Sequence, residues 1–317
     1  MKRAVKWLAG AAGVLLLAQV GGAWYLFRQA VVRKSGRRNV AKGLSGTDWS
    51  AYRPVIQKDR EWMERQPREE VWISSEGGLK LHGVFYPLEG SKKAVIGFHG
   101  YGSQGTGDYV SMARFFLENG IQVLAVDERA HGKSEGNYIG FGCLERLDAA
   151  AWARYLADRL GEDGRMALYG VSMGGATVLM ASGQPLPPQV KAVISDCGFT
   201  SAWDIFSWVL RASYHLPAFP LLYLADWFAA RFAGYHLNQC DAREEVRKAK
   251  VPVLLIHGEA DHFVPAAMAC ELYEACGPAG ELLLVPEADH AEAYYKDPER
   301  YRKTAERFLF PLLEKED

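Results

Sequence analysis

The hexapeptide Gly170-Val171-Ser172-Met173-Gly174-Gly175 admits very few backbones. It follows the apolar run Met166–Tyr169 and opens a stretch of small residues, Gly174–Thr177, so a buried strand must turn at once into a helix. A turn that tight forces Ser172 into a strained conformation, and glycines two residues to either side let the two backbones approach without Cβ clashes. Such a turn lifts the hydroxyl above a sheet and puts the helix N-terminus, with its unpaired N–H groups, behind it.

The rest of the chain supplies that sheet. Short β-branched or apolar runs are predicted as strands at Val71–Ser74, Leu79–Tyr86, Ala94–Phe98, Val123–Asp127, Met166–Val171, Ala192–Asp196, Val253–His257 and Leu282–Val285. Helical periods lie between them at Val110–Glu118, Leu144–Leu160, Gly174–Ala181, Ala266–Cys276 and Asp297–Leu309. Alternation of this kind predicts an α/β fold, a mostly parallel eight-stranded sheet with helices on both faces. Over fifty residues separate the strands ending at Asp196 and starting at Val253, more than a crossover helix needs, and the span from Phe199 to Tyr235 is dense in aromatics. This insert, 199–250, is predicted to be a helical cap, its rings either walling a pocket or packing the insert onto the body.

Ligands of such sheets bind where strands end, so the polar residues at those ends are the candidates for chemistry. A serine hydroxyl is nearly inert at neutral pH and needs a base with an orienting acid. Asp261 ends the loop after Val253–His257, and His290 ends the loop after the last strand, giving the chain order Ser, Asp, His. Ser172 is thus the expected nucleophile, His290 the base and Asp261 the acid, with Asp196 a competing acid. His257 and His262 read as structural histidines without an acid placed behind them, Asp289 as pointing away from the site, and Glu259 as solvated. The loop His99-Gly100-Tyr101-Gly102 would bring a second oxyanion donor over the turn, so the N–H groups of Tyr101 and Met173 form the expected pair. Asp127 through Ser134 read as a hydrogen-bonded turn.

The first residues differ from this body. Nine Lys and Arg and no acid fall in residues 1–47, leaving 28 basic against 38 acidic groups in the remainder, which excludes nucleic acid as the main partner. Trp7–Phe27 is 21 residues without a charge, about 30 Å as a helix, with Trp7, Trp24 and Tyr25 near its ends. The expectation is an uncleaved, single-pass membrane anchor over 1–28, contacting the bilayer through residues 7–27, then a basic linker and short helix over 29–70, then the domain 71–317. A cleaved signal peptide and a helix buried in the domain are the alternatives. Ala9/Gly13 and Ala18/Gly22 are weak signals for helix pairing. Lys2, Arg3, Lys6 and the α-amino group precede the segment and Arg28, Arg33, Lys34, Arg37 and Arg38 follow it, one more charge after than before, and five cysteines in an odd count read as reduced thiols. Both lean toward a catalytic domain in the cytoplasm. No C-x-x-C or His-x-x-x-His spacing occurs, so no metal is implied.

Taken together, His99-Gly-Tyr-Gly, Asp127 with His131-Gly132 and Ser134, Gly170-Val-Ser-Met-Gly-Gly, His257-Gly with Asp261 and Val264-Pro265, and Asp289-His290 resemble the α/β-hydrolase superfamily. The resemblance covers roughly 71–310 and is nearest to membrane-anchored bacterial serine hydrolases related to the prolyl-oligopeptidase-like catalytic domain. It implies serine hydrolysis without an organic cofactor. The expected activity is cleavage of small-molecule or lipid-like carboxylic esters through an acyl-enzyme. A peptidase or amidase of the same fold is the alternative, and a non-catalytic membrane-bound binding protein is the contrasting class.

Overall fold

The computed structural model describes residues 2–33 and 47–314. Residues 34–46 of the predicted linker and the side chains of much of the first sixteen residues lie outside the described set.

Two helices precede the sheet, α1 (Lys2–Ala30) and α2 (Arg53–Glu64). The strands are β1 (Glu69–Ser74), β2 (Lys80–Tyr86), β3 (Lys93–Phe98), β4 (Gln122–Val126), β5 (Arg165–Val171), β6 (Val190–Asp196), β7 (Val253–Gly258) and β8 (Gly280–Val285). They form one sheet in the order β1-β2-β4-β3-β5-β6-β7-β8, antiparallel at β1, β2 and β4 and parallel from β4 onward. The eight predicted runs fall on these strands. β4 and β7 are buried along their whole length, as continuous apolar runs require, whereas the edge strand β1 buries Val71 and exposes its neighbours.

The crossover helices are α3 (Val110–Glu118), α4 (Glu145–Leu160), α5 (Met173–Ser182) and α9 (Ala266–Cys276), with α10 (Ala293–Lys296) and α11 (Pro298–Leu313) following β8. Residues of α2, α3 and α11 pack one face of the sheet, and those of α4, α5 and α9 the other. Between β6 and β7 the cap comprises α6 (Ala202–Tyr214), α7 (Leu221–Phe228), a π-helical turn over Ala229–Ala233 and α8 (Ala242–Val246). Ser201 caps α6 by accepting the Asp204 N–H at 3.0 Å, and Arg243 ties Asp204, Asp241 and Glu271 together at the cap's base.

Two features depart from the sequence reading. Cys143 and Cys240 form a disulfide joining the segment before α4 to the cap edge, so the five cysteines are not all free thiols and their count no longer argues for the cytoplasm. The second half of α1 is docked on the domain: Ala23 and Phe27 are buried, and Gly22 faces α7 so closely that a Cβ there would lie 3.3 Å from Leu221 Cδ1. Small-residue spacing thus serves an intrachain helix contact. Among the described residues no helix is long and apolar enough to cross a membrane.

Candidate active site

Ser172 sits between β5 and α5 with φ 56° and ψ −113°, the strained turn its sequence demands. The glycines explain how the turn closes. A Cβ on Gly170 would lie 2.1 Å from Gly174 O, and one on Gly100 would lie 3.3 Å from Ser172 Cβ, so the loop after β3 passes directly over the serine.

Three strand ends then converge. His290 Nε2 is 2.8 Å from Ser172 Oγ, and His290 Nδ1 is 2.8 Å from Asp261 Oδ2. Asp261 Oδ1 accepts the N–H groups of Phe263 and Val264 at 2.9 and 2.7 Å, which fixes the carboxylate toward the ring. His257 stands closer than its sequence suggested: its Nε2 is 2.8 Å from Val264 O and 3.2 Å from Asp261 Oδ2, so an acid does lie beside it. His262 is exposed, its own N–H donating to Asp289 Oδ1, which also accepts the His290 N–H. Asp289 therefore holds the backbone of the histidine loop.

Asp196 faces another network. Its Oδ2 accepts from Tyr301 at 2.9 Å, its Oδ1 has no partner among the described residues, and its backbone oxygen accepts the Ser172 N–H. Burial pushes its carboxyl up to about 6 against the opposing Tyr301 hydrogen bond. In Asp261, burial is outweighed by the charge of His290 and the hydrogen bonds from His257 and His290, and its pKa falls well below the usual carboxylate range. Burial would depress the His290 ring too, but the charge of Asp261 and the hydrogen bond to it prevail and raise it above its ordinary 6.5. If neutral His290 is the working base, kcat/KM must rise with pH through an inflection above 6.5. Asp261→Asn should move that inflection downward, and a profile flat from about pH 5 to 8 would contradict a histidine base.

The other expected donors flank the serine. Met173 is the first residue of α5, where a helix leaves its N–H without an intrahelical acceptor. The Tyr101 N–H likewise has no hydrogen-bond partner among the described residues. Its loop is held by Asp108, which had no sequence signal, and by His131 of the Asp127–Ser134 turn. Asp108 accepts the Gly100 N–H at 2.7 Å, and His131 Nε2 accepts the Gly102 N–H at 3.1 Å. Burial, with His99 alongside, lowers His131 to about 3, which keeps it an acceptor. Asp127 accepts from Gly105 and Lys133 N–H, the hydrogen-bonded turn its motif implied.

Ser172 opens in two directions. On one side lies an almost wholly apolar cavity of about 150 Å³, walled by Phe199, Ile205, Phe206 and Leu222 of the cap region and by Leu26 and Phe27 of α1. On the other is a cleft of mixed lining, with Arg53, Gln57, Arg60, Ser103 and Gln104 beside Trp49, Ile56 and Tyr295. The part played by α1 had only the weak small-residue signal in the sequence, because an almost uniformly apolar stretch hides which face docks. Cys197, Asp261 and His290 bring donor atoms within 4.8 Å of one another, but both His290 nitrogens are engaged and burial pushes the Cys197 thiol up, which makes the trio a poor metal site.

Known proteins share this architecture. Residues 89–224, which contain Tyr101, Ser172 and Met173 but neither Asp261 nor His290, match the family described as serine aminopeptidase, S33. Protein YqkD of Bacillus subtilis is 29% identical over 249 residues, spanning 78% of this chain and 81% of its own. Caffeoylshikimate esterase of Arabidopsis thaliana is 25% identical over 255 residues, 68% of this chain and 76% of its own. Among solved structures, the Pyrococcus furiosus esterase Pf2001 superposes with a TM-score of 0.65 at 27% identity, over 78% of this chain and 92% of that one. A sheet of this order, a strained serine between its fifth strand and the following helix, and these likenesses give the chain the α/β-hydrolase fold.

Proposed function

We propose that the chain is a membrane-anchored serine esterase acting through an acyl-enzyme. The observation that carries this reading is the Asp261–His290–Ser172 relay, with 2.8 Å at each step. Ser172 Oγ attacks the ester carbonyl as His290 Nε2 takes its proton, and Asp261 stabilises the imidazolium. The oxyanion receives the N–H groups of Tyr101 and Met173. The tetrahedral intermediate collapses, the carbon–oxygen bond breaks, and His290 returns its proton to the departing alcohol. Water, activated by the same histidine, then releases the acid and restores Ser172.

The surroundings support an ester over an aminoacyl amide. An aminopeptidase must hold the substrate's terminal ammonium on the acyl side, and among the described residues no Asp or Glu lines the apolar cavity. An apolar acyl group there and a polar alcohol in the cleft match the two sides of Ser172. The esterase activities named for the Pyrococcus and Arabidopsis relatives agree with this, while the serine aminopeptidase family name keeps amide cleavage as the second reading. A comparison of p-nitrophenyl esters with aminoacyl p-nitroanilides decides between them, and a fluorophosphonate probe that leaves Ser172 unlabelled in folded protein would favour a non-catalytic binding protein.

Each buried CH₂ of an acyl chain contributes roughly 0.8 kcal/mol, so kcat/KM should climb about fourfold per carbon until the cavity is filled. Butyrate is expected to exceed acetate. Equal values from acetyl to octanoyl would mean that the cavity does not receive the acyl group.

The charge-free stretch of α1 supports anchoring, and the charge balance around it supports a cytoplasmic domain. Protease added to intact spheroplasts should then leave residues from 71 onward uncut until lysis. Cleavage without lysis would put the domain outside.

A further inference from the structure

The length of α1 and its docking make incompatible demands on the rest of the fold. Trp7–Phe27 matches the thickness of a bilayer core, about 30 Å, yet its second part is docked along one face: Trp7, Gly13, Leu17 and Ala18 are exposed, whereas Ala23 and Phe27 are buried against the domain while Trp24 and Tyr25 face outward. The docked portion, Gln19–Phe27, is about 13 Å of helix. If the whole stretch lies in hydrocarbon, as the anchored reading requires, whatever α1 packs against must enter the membrane boundary with it.

Its packing partner, α7, is built for that position. Phe219, Tyr223 and Trp227 recur at four-residue spacing and are 71%, 55% and 58% exposed, while Leu222 and Ala225 on the other face are buried. Trp24 of α1 continues the aromatic surface, its ring 5.0 Å from Phe228 and 5.5 Å from Phe232. The acid within α7, Asp226, is turned to the Leu237 N–H and His236 at 2.7 and 2.8 Å. Arg28 of α1, Arg211 of α6 and Arg231 of the π-helical turn are exposed, where they can meet anionic headgroups. Tyr214, 52% exposed at the end of α6, also lines the apolar cavity, so the far end of that cavity reaches this surface beside exposed Leu216.

We propose that the α7 face is a second bilayer contact, and that the acyl chain of the substrate enters the cavity from the leaflet covering Phe219, Tyr223 and Trp227. The proposal rests on the anchored-esterase reading. It identifies the substrate class as membrane-resident amphiphilic esters, with the apolar chain between α1, α6 and α7 and the polar alcohol in the cleft by α2.

The test uses the full chain in vesicles of phosphatidylcholine and phosphatidylglycerol whose acyl chains carry bromine. The emission lost in Trp227→Phe, taken as a difference from wild type, should be quenched about twofold or more by the bromines. An unquenched difference overturns the bilayer contact, and if the oligomeric state in detergent also changes with Trp227→Ser, the face belongs to a second copy of the chain. In parallel, Leu216→Ser/Phe219→Ser/Trp227→Ser should hydrolyse soluble p-nitrophenyl acetate within about twofold of wild type and vesicle-borne p-nitrophenyl palmitate at least about tenfold more slowly. Equal rates on palmitate, or equal losses on both esters, overturn entry from the leaflet. Wild type inactive on both esters would sink the esterase reading, while the quenching still reports on the bilayer contact by itself.

Discussion

Ser172→Ala should lower ester kcat/KM by about 10⁴- to 10⁶-fold, with the far-ultraviolet circular dichroism and unfolding midpoint retained. The hydroxyl is small and its removal leaves β5, α5 and the loop above them in place, so the loss belongs to chemistry. His290→Ala should cost a similar factor, and the double variant little more, because the two side chains act as one proton-transfer unit. Asp261→Asn should cost about 10⁴-fold, since an amide at 2.8 Å from Nδ1 favours the wrong tautomer. Asp196→Asn provides the contrast. Its side chain meets Tyr301 rather than His290, and a change of less than about tenfold is expected. A crippled Asp196→Asn beside a mild Asp261→Asn would reverse the assignment of the acid.

Gly174→Ala is expected to have a large effect on stability. The added Cβ would lie 2.2 Å from Phe98 O, 2.5 Å from Phe98 C and 2.7 Å from His99 O, all backbone atoms at the end of β3. A flexible side chain could swing aside, but these atoms are fixed by pairing with β4 and β5. Relief therefore requires α5 to shift off the sheet, and a loss of about 3 kcal/mol or more is expected in urea unfolding. Gly77→Ala is the control: the nearest atom to its Cβ would be Ser75 Oγ at 3.9 Å, and its effect should stay within about 0.5 kcal/mol. Equal stability of the two variants would show that helix and strand are not pressed together as described.

Local pattern carried much of this architecture. β3 through β7 were legible because strands buried on both faces must be continuous apolar runs, and the turn at Ser172 because two glycines and a serine leave one sensible backbone. Loop-end positions likewise drew attention to Asp261 and His290, which the fold brings to Ser172 from 89 and 118 residues away. What stayed hidden depends on contacts between distant segments. Cys143 and Cys240 are separated by 97 residues, and nothing in their neighbourhoods announces a partner. His257 reads as the end of a strand until the following loop folds Asp261 and Val264 back over it. The docking of α1 is the extreme case, since every face of an apolar helix looks equally able to meet lipid or protein.

If α1 is an anchor as proposed, that docking removes a freedom that tethered proteins ordinarily have. A tether that merely holds a domain near a surface can be exchanged for another of similar length, and the domain's preferences survive the exchange. Here Leu26 and Phe27 of the N-terminal helix are part of the wall beside Ser172, and the Tyr101 hydroxyl donates to Gln29 O at 2.9 Å. On the anchored reading proposed above, address and selectivity would be written on the same few turns of helix, so that altering where the protein resides would alter what it accepts in the same step.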